Sequence, residues 1–83
     1  MSHKRTVETA RKRYDNAMNA VYAVALPRQD MRFSDCLMLA RQENPRLARE
    51  HEETRQALVA AEQAAIDAGK AYRSSFGMLT WSR

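Results

Sequence analysis

From Leu47 to Tyr72 one spacing repeats without a slip: Leu47, His51, Thr54, Leu58, Ala61, Ala65, Ala68 and Tyr72, in alternating steps of four and three. Val7, Ala10, Tyr14, Ala17, Val21 and Val24 follow the same rule near the start. Each set falls on one stripe of an α-helix. Two striped helices on one short chain predict an antiparallel helical hairpin. The small residues of the second stripe allow the partner backbone to come close.

Local signals place the boundaries. The first helix is expected over about 6–26, ended by Pro27, which disfavours helical backbone at the preceding residue. Ser34 is a good N-cap for a short second helix over about 34–43, with Asp35 in its first turn and Phe33 and Met38 at the positions of a hydrophobic staple. Cys36, Leu37, Leu39 and Ala40 supply its apolar face. Asn44-Pro45 is a boundary, because Asn caps and Pro suits the first helical position. The third helix is expected from 45 to about 74. Gly77 is the candidate cap at its end. Phe76, Met78, Leu79 and Trp81 then crowd an apolar tail over 75–83 that has to dock somewhere. The reading is an all-α fold: one small domain over 1–83, with two long antiparallel helices and a short helix between them.

Composition sharpens this picture. Two glycines and two prolines among 83 residues leave few breaks, which disfavours a β-sandwich or barrel. Apolar residues make up 45% of the chain, but much of that is alanine, which offers little area for burial. A thin core calls for a partner, and a homodimer is expected. One cysteine excludes an internal disulfide and fits a reducing compartment. The basic start followed by the apolar run Ala17 to Leu26 has some features of a secretory signal. Asn19 interrupts that run, however, and Glu8 and Asp15 lie within the charged part. The segment is therefore expected to be the first helix of a cytoplasmic protein, and no stretch approaches transmembrane length.

Candidate chemistry is sparse. His51-Glu52-Glu53-Thr54-Arg55 begins like a zinc-protease helix, but the second histidine of H-E-x-x-H is replaced by Arg55. His3 and Cys36 lack ligand spacing to His51, so no metal and no cofactor is expected. His51 is expected as a polar residue on the helix seam, making a hydrogen bond across the pair or setting its register. A Cys36 nucleophile would need an orienting group and an oxyanion site, and nothing points to either. Cys36 is expected to be a buried, unreactive thiol. Glu52 and Glu53 are adjacent and diverge by about 100° around a helix, too far apart in direction for a paired acid and base. The two glycines are isolated, so no phosphate loop is present. The chain is expected not to be an enzyme.

Binding is the alternative to catalysis. The formal net charge is +4, and arginine far outnumbers lysine. Lys4, Arg5, Arg11, Lys12 and Arg13 form one cluster, and Arg28, Arg32, Arg41, Arg46 and Arg49 gather around the second helix. Arginine grips phosphates with a fork of donors. Glu43, Glu50, Glu52 and Glu53 dilute the second cluster, and Arg46–Glu50 and Arg49–Glu53 are i,i+4 pairs of a solvated face. Direct binding of nucleic acid is thus the secondary expectation. The leading one is a protein partner met by Arg28, Arg32, Arg41 and Arg46 together with Phe76, Met78 and Trp81, since aromatic, Met and Arg side chains are enriched at interfaces. A structural part of a larger assembly is a third reading.

The stretch Phe33-Ser34-Asp35-Cys36-Leu37-Met38-Leu39-Ala40-Arg41-Gln42-Glu43-Asn44-Pro45-Arg46-Leu47-Ala48 resembles a pattern found in small accessory proteins of bacteriophages and prophages, of the rough form F/Y-S-x-A-L-x-x-x-x-x-E-N/H-P-x-L-A. Cys36 stands where that pattern has a small residue. The resemblance covers about a fifth of the chain and carries no catalytic residues. It implies a non-enzymatic protein of a mobile element that docks on a host protein and blocks it, as anti-CRISPR and other anti-defence proteins do.

Overall fold

The computed structural model describes residues 2–26 and 31–82. Its elements are α1 (His3–Val24), α2 (Phe33–Glu43), α3 (Pro45–Asp67), β1 (Ala71–Arg73) and β2 (Leu79–Trp81). The chain is mostly helical, as its periodicity requires, and ends in a small antiparallel sheet that the periodicity does not foretell. The register pairs Ala71 with Trp81, Tyr72 with Thr80 and Arg73 with Leu79.

α1 begins three residues earlier than expected, because Ser2 caps it. The Ser2 Oγ accepts the Arg5 N–H at 3.2 Å, and the Thr6 hydroxyl donates to the Ser2 carbonyl at 3.2 Å. α2 starts at Phe33, with Arg32 at the N-cap and no side-chain cap, so Ser34 lies within the helix and does not cap it. The Arg32 carbonyl accepts the N–H groups of Asp35 and Cys36, each at 3.0 Å. Phe33 does not staple onto Met38. Its ring stands 5.0 Å from those of Tyr22 and His51, and Met38 is left exposed. Asn44 closes α2 and opens α3 through its backbone alone. Its N–H donates to the Ala40 carbonyl at 2.7 Å and its carbonyl accepts the Leu47 N–H at 3.0 Å.

The third helix stops at Asp67, seven residues short of the expectation. Gly69 has φ +73°, the left-handed conformation that an L side chain resists. The Lys70 N–H donates to the Ala65 carbonyl at 2.9 Å and the Gly69 N–H to the Ile66 carbonyl at 3.0 Å, the paired bonds of a Schellman cap. Gly77 therefore has a different task from the helix cap assigned to it. With φ +78° it lies in the five-residue loop between the strands, where its N–H donates to the Ser74 carbonyl and the Ser74 N–H to the Met78 carbonyl, both at 2.9 Å. The expected apolar tail is thus a β-hairpin.

Both stripes are buried or partly buried as far as Ala65, and contacts along them run in opposite directions. Val7 shares a cluster with Leu58 and Ala65, Tyr14 stands 5.3 Å from His51, and Leu47 packs on the cluster that holds Val21. α1 and α3 therefore lie antiparallel. α2 closes one end, where Val21, Ala25, Cys36 and Ala40 are buried together. The β-hairpin closes the other, where Ala71 is buried and Leu79 and Trp81 pack on the Val7–Leu58 cluster.

The body measures 44 × 25 × 14 Å. Its radius of gyration is 15.1 Å, against about 12 Å for a compact domain of this length. The body is thus elongated and thin. Alanine supplies most of the buried apolar residues, and Val21 and Cys36 are the largest side chains buried completely.

Candidate docking surfaces

A buried carboxylate fixes the β-hairpin to the helices. Glu62 lies on the inner side of α3 and is 7% exposed. Its Oε1 accepts from Arg11 of α1 at 3.2 Å, and its Oε2 stands 3.2 Å from Arg73 of β1. One carboxylate thereby ties three elements together. Both arginines remain about half exposed, so their charges keep part of their hydration. Sequence reasoning passed over Glu62. Its signal is an acid four residues beyond Leu58, set among the core-facing alanines of α3.

On that anchored frame the loop presents apolar side chains to water. Phe76 is 89% exposed and Met78 69%, and Tyr72 on β1 is also exposed. Trp81, grouped with Phe76 and Met78 by sequence, turns back toward the core and is only partly accessible. The residue pairing explains the split. Ala71, Arg73, Leu79 and Trp81 share the face that meets the helices, and Tyr72 and Thr80 share the other.

The arginines occupy the opposite end. Arg32, Arg41 and Arg46 are exposed around α2 and the first turn of α3, while Arg28 lies outside the described residues. Arg46 pairs with Glu50 at 3.1 Å. The 23 residues of α3, about 34 Å of helix, separate this cluster from the β-hairpin. The basic corner and the apolar tip are therefore two surfaces, not the single combined one expected from sequence.

His51 is 6% exposed, with the rings of Tyr14 and Phe33 at 5.3 and 5.0 Å, and its Nε2 has no hydrogen-bond partner. The expected bond across the helix pair is not made by that nitrogen. Cys36 is a free thiol, 1% exposed. Among the described residues no group of three His, Cys, Asp or Glu side chains could hold a metal ion, and no helix is long and apolar enough to cross a membrane. On the outer face of α3, Arg55 grips Glu52 through two nitrogens, at 2.6 and 3.0 Å. That grip and a bond from Gln56 hold the Glu52 carboxyl at about 2.

Two hollows remain. A groove of about 480 Å³ runs between α1 and α3, lined chiefly by Thr and Ala with Arg5, Arg13 and Glu53 on its rims. A cleft of about 550 Å³ lies where the start of α1 meets the β-hairpin, between His3, Lys4, Lys70 and Trp81. Comparison with known proteins finds no matching family model, no matching curated protein and no matching solved structure.

Proposed function

We propose that this chain is a non-enzymatic protein-binding module that docks on a host protein or defence complex, in the manner of a phage-encoded inhibitor. Its antiparallel helical hairpin is the scaffold, it works as a homodimer, and the tip of its β-hairpin is the leading contact. The observation that carries the reading is that tip. Phe76 and Met78 are held out in water by a loop whose base is tied to α3 through Arg73 and Glu62. An aromatic side chain on a rigid mount loses little freedom when a partner pocket closes on it. The resemblance over residues 33–48 supports the phage origin, and the exposed Arg32, Arg41 and Arg46 supply a second contact for an acidic surface.

The test is affinity purification of the tagged chain from its host, in parallel with Phe76→Ala and Met78→Ala. A partner should co-elute with the unaltered chain. Its affinity should fall about 30-fold with Phe76→Ala, the loss of about 2 kcal/mol typical of a central anchor. Equal recovery by all three chains ends this reading.

The cleft at the start of α1 favours a second reading, in which the chain binds nucleic acid. Lys4 and Lys70 there could meet phosphates and Trp81 could stack on a base. Binding to single strands should then weaken steeply as salt rises. A weak, salt-insensitive response removes it.

A further inference from the structure

The groove between α1 and α3 continues past its widest part. A second hollow of about 300 Å³ follows it along the same face, and Arg13, Glu53 and Thr54 line both. The combined floor and rims use Thr6, Thr9, Ala10, Ala17 and Ala20 of α1 with Ala57 and Ala61 of α3. Helical spacing puts Arg11 and Tyr22 on the opposite flank of α1 from Arg13 and Asn16. That opposite flank is the one occupied: Arg11 reaches Glu62 and Tyr22 meets Phe33 of α2. The groove flank is open from end to end.

The two rims differ in charge. Arg5 and Arg13 stand on the α1 side, and Glu50 and Glu53 on the α3 side. Arg13 and Glu53 face each other across the same point of the groove, yet neither belongs to an ion pair among the described residues. We infer that this groove seats a second copy of the chain, related by a two-fold axis running along the groove, so that Arg13 of each copy meets Glu53 of the other.

The axis follows from the charges and the helix directions. A two-fold axis along the groove sets α1 of one copy over α3 of the other at the same level. Basic rim then covers acidic rim, and every helix has two antiparallel neighbours, the arrangement of a four-helix bundle. A two-fold axis across the helices would instead set α1 on α1 and basic rim on basic rim. The groove spans about 22 Å from Arg5 to Ala20, on a body 25 Å wide. A flat footprint of about 550 Å² per copy, about 1,100 Å² for the pair, clears the roughly 1,000 Å² expected of a biological interface and lies at the small end of the range. This inference rests on the homodimeric part of the proposal above and adds the surface and the axis.

The experiment is sedimentation equilibrium on the unaltered chain, on Arg13→Glu, on Glu53→Arg, and on an equimolar mixture of the two variants. The unaltered chain should be a dimer. Each variant alone confronts like charges at both symmetric contacts, so its self-association should weaken at least about tenfold. The mixture should restore a dimer containing one of each, since both contacts then pair opposite charges. Circular dichroism checks that these exposed substitutions keep the helices. A dimer that ignores both substitutions would overturn this surface and leave dimerisation standing. A dimer weakened by each variant but not restored by the mixture would overturn the axis. A chain that stays monomeric at every concentration would overturn both, and the groove would belong to another occupant.

Discussion

Nη1 of Arg73 lies 3.2 Å from Oε2 of Glu62, joining a strand to a carboxylate buried on the neighbouring helix. Arg11 holds the other oxygen at the same distance, so either arginine can partly stand in for the other. Arg11→Ala or Arg73→Ala alone should cost about 1 kcal/mol. The two together leave a buried carboxylate with no partner and should cost about 3 kcal/mol or more, beyond the sum of the singles. Urea unfolding of the four chains gives the coupling. Strict additivity would mean that Glu62 does not act as a shared anchor.

Gly69→Ala tests the turn that ends α3. A Cβ at this position meets nothing within 4 Å, so the penalty comes from backbone conformation and not from crowding. The expected loss is about 1 kcal/mol. A synthetic chain with D-alanine there should regain it, because the mirror-image residue favours positive φ. If both alanines were tolerated equally, the cap would carry no strain.

His51 offers a stabilising substitution. Its Nε2 is buried without a partner beside two aromatic rings. An unpaired buried polar atom costs about 1–3 kcal/mol. His51→Leu is similar in volume and removes that atom, so its thermal midpoint should rise. His51→Ala opens a cavity and should lower it. A fall in both would show that the imidazole makes a favourable contact of its own.

The Glu52 carboxyl should titrate at about 2, held down first by the hydrogen bond from Arg55 and then by that from Gln56. A folded value below the unfolded one means that this contribution to stability is complete above the ordinary carboxylate range. It fades as the pH falls from that range toward 2. The pair is half exposed and the contribution is small, so side-chain NMR is the sensitive probe. Arg55→Ala should return the carboxyl close to its ordinary value.

The sequence was most readable where one period governs. Val7, Val21, Leu58 and Ala65 are buried on the stripes that their spacing defines, and the antiparallel contact order follows. The period misled at Ala68 and Tyr72, which keep the count although the helix has ended. Counting residues cannot register a single left-handed φ, and Gly69 reverses the chain without disturbing the spacing. Gly77 reads as a helix-capping glycine but belongs to the strand loop, since a helix cap and a strand loop ask the same φ of it. For the binding surfaces, a crowded apolar tail leaves open whether Phe76 and Met78 pack inward or face outward, and the structure exposes both. The inward turn of Trp81 depends on strand register, which three-residue strands barely encode. Glu62 was hidden because its partners lie 51 positions before it and 11 after it.

A body this thin leaves most backbone amides close to its surface. Deuterium should therefore enter most of the molecule by small local openings, and few hydrogens should wait for global unfolding. The slowest should cluster where three rods meet, around Val21, Cys36 and Ala40, while the β-hairpin end exchanges early.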